Sequence, residues 1–111
     1  MHISVEEKNN MSVITIEDKE VDAANSAELK EELHNAIRPG TNVLLDLSKL
    51  EFLDSSGLGV LLSCMRYLTS HNGTFQICSV TKPVQAILEL VRFHRVVDTY
   101  NNRNEAFRAF E

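Results

Sequence analysis

Tryptophan is absent from this sequence, and two Tyr and five Phe bring the aromatic share to only 6%. A core made from the chain must therefore be mainly Leu, Val, Ile and Ala. Cysteine is equally scarce: Cys64 and Cys78 each sit in an apolar segment, with no CxxC pattern. That leaves no disulfide framework and no ligand spacing for zinc. Both thiols are expected to be reduced and buried, packed as small hydrophobes. No apolar run reaches transmembrane length, and the opening MHISVEEKNN has no apolar signal core. The expected compartment is the cytoplasm. Lys and Arg number 11 against 16 Asp and Glu, for a net charge of -5, and they form no cluster of four. Phosphate backbones and anionic bilayers both call for basic patches, so nucleic acid and membrane surfaces are disfavoured as partners.

What remains is globular. The chain has 111 residues, of which 43% are hydrophobic. That suits a single domain spanning 1–111, large enough to bury a core without disulfides. No internal repeat, linker or low-complexity segment interrupts it.

The hydrophobic pattern alternates between strand and helix periods. Ile3-Ser4-Val5 and Val13-Ile14-Thr15-Ile16 read as a β-hairpin turning at Asn9-Asn10. Asn25-Ser26 offers caps for a helix over 27–37, with Leu29, Leu33, Ala36 and Ile37 on one stripe. Pro39-Gly40 stops it. Val43 to Leu47 is short and apolar, as in a strand covered on both faces. A second helix starts near Ser56, carries Leu58, Leu61, Leu62, Met65 and Leu68, and ends at Asn72-Gly73. Thr74 to Val80 is a strand. Thr81 caps a third helix that opens with Lys82-Pro83 and carries Val84, Ile87, Leu88 and Val91. Val96-Val97 suggests a short strand, and Asn104 to Phe110 a closing helix. The order predicts an α/β domain with a mixed sheet.

One junction needs a reason. In LEFLDSSGLGVLL, residues 50–62, an apolar run stops at Asp54-Ser55-Ser56-Gly57 and then resumes. An Asp or Ser before a helix accepts hydrogen bonds from its first free N–H groups. Gly57 and Gly59 each cost about 1 kcal/mol of helix propensity relative to Ala. Either the first turn packs closely against a neighbour, or bare backbone is left for a partner or an anion. A helix N-terminus favours negative charge. A phosphate on Ser55 would add about -1.5 to -2 charges there, with Asp54 repelling it. On these residues alone, the junction is either a cap with a turn or a modified site.

Catalysis by the chain itself finds little support. The residues two before and two after Ser55 are Leu53 and Gly57, so the GxSxG elbow is missing. There is no P-loop lysine motif. His2, His34, His71 and His94 are scattered, with no catalytic pairing in sequence. The expectation is no enzyme, no metal and no cofactor.

Phe52-Leu53-Asp54-Ser55-Ser56-Gly57-Leu58-Gly59-Val60-Leu61 closely resembles the phosphorylation motif of STAS domains of the anti-sigma factor antagonist family. The resemblance spans most of the chain. Glu20-Val21-Asp22 resembles that family's Gly-Glu-(Leu/Ile)-Asp segment, and Val43–Leu47 its central strand. It implies a STAS-like α/β fold: a mixed four- to five-stranded sheet with helices packed mainly on one side. It implies that Ser55 is phosphorylated and that Asp22 lies near it. Partner contact would fall to Asp22, Asp54, Ser56, Gly57, Leu58 and Gly59, with Ser56 more a cap than an acceptor. The implied partners are an anti-sigma factor acting as a serine kinase, with a histidine-kinase-like ATPase fold, and a metal-dependent serine phosphatase. The unmodified protein binds the kinase, and the phosphorylated form is released. A monomer is expected. The alternative is an unphosphorylated STAS docking subunit of a lipid-transport ATPase complex. Two positions depart from the family pattern: Lys19 and Arg92 stand where it often has Gly. If the latter site needs a positive φ, Arg is costly there.

Overall fold

The computed structural model describes residues 2–110. It opens with strands β1 (Ile3–Lys8) and β2 (Met11–Ile16), antiparallel, with Lys8 opposite Met11. Asn9 and Asn10 make the two-residue turn with φ of 54° and 64°. Positive φ at both central positions matches the right-handed twist of the strands, and Asn tolerates it well. β1 runs further than its alternation suggested because it is an edge strand. Only Ile3 is buried, so polar residues to Lys8 meet no penalty.

The chain continues through β3 (Glu20–Val21), α1 (Ser26–Ala36), β4 (Asn42–Asp46), β5 (Phe52–Leu53), α2 (Ser55–Ser70), β6 (Thr74–Cys78) and α3 (Lys82–Leu90). A 3₁₀ turn (Phe93–Arg95), β7 (Asp98–Tyr100) and α4 (Arg103–Phe110) complete it. The main sheet has five strands in the order β1-β2-β4-β6-β7, with all pairs after β1 parallel. Parallel neighbours require crossovers, which α1, α2 and α3 supply. β4 lies at the centre, and Val43 to Asp46 are all buried.

The sheet divides the core. On one face Ile14, Ile16, Val43, Leu45 and Ile77 pack with Leu29 and Leu33 of α1, Val60, Leu61, Cys64 and Leu68 of α2, and Val84 and Leu88 of α3. On the other, Met11, Val13, Leu44 and Cys78 pack with Ala106 and Phe107 of α4, flanked by the partly buried Tyr100 and Phe110. Three helices on one side and a short one on the other is the expected arrangement. Both cysteines are free and buried. Burial pushes their thiols up, to about 12 for Cys64 and about 11 for Cys78.

α4 is anchored by charge. Arg103 Nε donates to Asp46 Oδ2 at 2.7 Å, Nη2 to Thr15 Oγ1 at 2.9 Å, and Nη1 to Glu6. Burial acts to raise the Asp46 carboxyl, but Arg103 and Ser48 outweigh it and hold the group below its usual value.

Several sequence expectations shift. The last strand lies at Asp98–Tyr100, not Val96-Val97: Phe93–Arg95 forms the 3₁₀ turn first, which buries Val97 as core and leaves Val96 exposed. Neither Asn25 nor Thr81 caps its helix through its side chain. The Thr81 hydroxyl instead donates to the Leu50 carbonyl at 2.6 Å, tying α3 to the segment before β5. Lys19 has no positive φ, so glycine is not required there. Its carbonyl accepts the N–H groups of Glu51 and Phe52.

Arg92 does adopt the left-handed region, at φ 57° and ψ 40°, after the end of α3. That conformation costs an L-residue roughly 1–2 kcal/mol and glycine almost nothing. Arg92 is exposed, and removing its side chain opens no cavity. Arg92→Gly is expected to stabilise the protein by about 1 kcal/mol, read as a higher urea midpoint at unchanged slope. A lower midpoint would mean that the guanidinium makes a stabilising contact.

Candidate functional site

The site forms where two short strands meet the start of α2. β3 and β5 pair in parallel outside the main sheet, with Glu20 opposite Phe52 and Val21 opposite Leu53. The next residues, Asp22 and Asp54, therefore leave the ribbon side by side. The Asp54 N–H donates to the Val21 carbonyl at 3.2 Å, closing the corner.

Asp54 is the N-cap of α2. Its backbone is extended, and its Oδ1 accepts the Gly57 N–H at 3.1 Å. Its carbonyl accepts the Leu58 N–H at 2.9 Å. This corrects the expectation that Ser56 is the cap, while the helix does start beside Ser56, at Ser55. An acid reaches the third N–H of the turn, so Ser55 is already the first helical residue. Ser55 is exposed and Ser56 half-buried.

The two glycines differ. A Cβ on Gly57 would lie 2.9 Å from the Val21 carbonyl oxygen and 3.0 Å from both Leu53 Cβ and Val21 Cγ1. Gly57 is thus required for close packing of α2 on the β3/β5 ribbon. A Cβ on Gly59 would meet nothing within 4 Å. Gly59 is exposed, one helical turn beyond Ser55, and leaves bare backbone beside it. Leu58 is half-buried against the core, and Val60 and Leu61 are buried within it.

Asp22 is held by its own loop. Its Oδ1 accepts the Ala24 N–H at 2.9 Å, and its carbonyl accepts those of Asn25 and Ser26. The Asn25 side chain accepts the Asp22 N–H at 2.9 Å and donates to the Glu20 carbonyl at 2.8 Å. The residue read as a cap is a brace across β3.

Sequence reasoning missed two further features. Phe52 is 45% exposed beside Asp54, because a two-residue strand points alternate side chains in and out, and Leu53 takes the inner place. The β3/β5 pair itself carries no periodicity to read. The chemistry available at Ser55 is that of an accessible hydroxyl, not a triad. The His–Ser hydrogen bond among the described residues is His34 to Ser63, at 3.1 Å on the α1–α2 surface. Among the described residues no group of three His, Cys, Asp or Glu could hold a metal ion. No helix of the described chain is long and apolar enough to cross a membrane.

The family model of the STAS domain matches residues 2–106, which hold this corner and every strand of the mixed sheet. The chain belongs to the STAS domain family. Its relatives include the anti-sigma F factor antagonist of Paenibacillus polymyxa, 27% identical over 100% of this chain and 97% of that protein. Among solved structures, an anti-sigma-factor antagonist (STAS) domain protein from Planctomyces limnophilus superposes with a TM-score of 0.88 at 22% identity, covering 96% of each chain. The Bacillus cell fate determinant SpoIIAA, solved in its phosphorylated form, gives a TM-score of 0.70 at 20% identity, covering 98% of this chain and 99% of its own.

Proposed function

We propose that this protein is an anti-sigma factor antagonist whose binding state is set by phosphorylation of Ser55. The observation that carries this reading is an exposed serine hydroxyl on the first residue of a sixteen-residue helix, beside bare backbone at Gly59. Unmodified, the corner of Asp22, Asp54, Ser56, Leu58 and Gly59 docks on an anti-sigma factor that is also a serine kinase of the histidine-kinase-like ATPase fold; Gly57, expected among the contact residues, is buried against Val21 and Leu53 and serves the packing instead. The exposed Phe52 adds apolar area to that surface. Phosphate on Ser55 brings about -1.5 to -2 charges and three acceptor oxygens to the helix N-terminus. The free N–H groups and the helix dipole accommodate the group without refolding. Asp54 and Asp22 keep the local field strongly negative, so release follows from a changed surface potential and not from a changed fold. A metal-dependent serine phosphatase resets the cycle. The chain acts as a substrate and binder, not as an enzyme.

The deciding measurement is intact mass of the native protein across growth conditions, with fragmentation to place the modification. One phosphate on Ser55, varying with conditions and absent in Ser55→Ala, is the expected result. Ser55→Ala should hold the kinase constitutively, and Ser55→Asp should bind it at least tenfold more weakly, about 1.4 kcal/mol. A protein never phosphorylated would turn the same corner into a plain docking surface for an ATPase, with Ser55 only the start of a helix.

A further inference from the structure

His2 stands outside the Ser55 corner, yet hydrogen bonds run from its ring to Asp22. Its Nδ1 lies 2.5 Å from Asp18 Oδ2, and its Nε2 lies 2.9 Å from Glu28 Oε2. Glu32 Oε2 is 3.8 Å from the same Nε2, and Glu32 Oε1 accepts the His2 backbone N–H at 2.8 Å. Three carboxylates, from the segment after β2 and from α1, thus converge on one imidazole. Among the described residues no Lys or Arg pairs with any of the three. Glu17, on the same segment, pairs with Lys49 instead, and its backbone N–H donates to the His2 carbonyl at 2.8 Å.

Asp18 passes the connection on. Its Oδ2 also accepts the Asn25 Nδ2 at 3.3 Å. That same amide group grips the Glu20 carbonyl and the Asp22 N–H, the two ends of the stretch that enters the site. We propose that His2 is a positioning residue for the phosphorylation switch: acting through Asp18 and Asn25, it sets the placement of the segment that carries Asp22 beside Ser55. This deepens the reading of Ser55 and Asp22 given above and rests on it.

The chemistry gives the brace a proton dependence. A protonated imidazole donates from both nitrogens, satisfying Asp18 and Glu28 together. A neutral ring donates from only one, so one carboxylate then faces a lone pair and the three acids repel each other. The hydrogen bonds to Glu28 and Asp18 hold the His2 ring above its ordinary value of 6.5. The brace is therefore complete below 6.5 and is lost as pH rises through the higher folded value.

The test is a titration of the full chain by amide and imidazole NMR across about pH 5 to 9. The Asp22 amide and the Asn25 side-chain amide are expected to shift with the same midpoint as the His2 ring, above 6.5. His2→Gln should abolish those shifts. Asn25→Ala should leave His2 titrating but silence Asp22. The brace is overturned if Asp22 stays still while His2 titrates, or if it moves equally in Asn25→Ala. A His2 midpoint at or below 6.5 overturns it as well. Wild type alone supplies the first readout, so the brace can be overturned even where a variant fails to fold. A chain never phosphorylated removes the switch, whereas an uncoupled titration removes the brace, so the two failures are told apart.

Discussion

Arg103→Ala is expected to cost about 3 kcal/mol of stability at neutral pH, the low end for breaking a buried ion pair. The reason lies with the partner. Asp46 has a side chain only 7% exposed, and Arg103 is its cation. Removing the guanidinium leaves a buried carboxylate with only the Ser48 N–H, at 2.8 Å. It also frees Thr15 and unties α4 from the sheet. Arg103 itself is 34% exposed, so water reaches part of the vacated space and moderates the loss. The effect should depend on pH with a definite sign. In the wild type Asp46 titrates below 3.8, so its contribution is present above that pH and lost as pH falls through the lower folded value. In the variant burial is opposed only by Ser48, so the carboxyl lies higher than in the wild type and protonates at a higher pH. The gap between wild type and variant should therefore narrow on acidification. Urea unfolding at pH 7 and near pH 4 measures both. A loss below about 1 kcal/mol would place the pair among ordinary surface bridges. Replacing both partners by apolar residues should recover most of the loss, since no charge is then left buried.

Gly57→Ala and Gly59→Ala should have opposite signs. Helix propensity alone favours Ala by about 1 kcal/mol at each site. At Gly59 nothing opposes that gain, and a stabilisation approaching it is expected. At Gly57 the new methyl meets the Val21 carbonyl oxygen, a backbone atom that cannot rotate away and that already accepts the Asp54 N–H. Overpacking of this kind costs about 1–3 kcal/mol, so the net change is a destabilisation of roughly 1–2 kcal/mol. The displacement falls on β3 and hence on Asp22. Gly57→Ala should therefore also lower Ser55 phosphorylation, while Gly59→Ala leaves the fold intact and probes the exposed backbone directly. Thermal melts give the stabilities, and intact mass gives the phosphate occupancy. Equal signs at the two positions would show that the close approach of Val21 relaxes without cost.

These two glycines also show how far the sequence could be read. Both looked alike: one turn, one cost, two possible reasons. Only the fold separates them, because the atom that crowds Gly57 belongs to Val21, thirty-six residues earlier in the chain. The same limit hid the β3/β5 ribbon, which is too short for any periodicity. Arg103 was equally hidden: its partner Asp46 is 57 positions away, and a single charge in a polar helix start signals nothing. Asn25 and Thr81 stand where caps stand, but the side chain of each bonds a backbone carbonyl elsewhere, Glu20 and Leu50 respectively. What was legible was the part governed by local rules. The Asn9-Asn10 turn, the helix stripes, the fully buried central strand and the buried cysteines needed only pattern and composition. The DSSGLG stretch opens α2 at the corner, and Arg92, unlike Lys19, adopts the left-handed backbone that glycine favours.

The sheet works as a wall between two sides of the molecule, and this suits controlled attachment. α4 lies behind the wall, with Ala109 exposed, while α1, α2 and Ser55 lie in front. The two native thiols are buried and carry little thiolate at neutral pH, so they are poor nucleophiles. A cysteine placed at 109 would outcompete both for a dye or a sensor surface. Every molecule would then be held by its back, with the Ser55 corner turned toward whatever flows past.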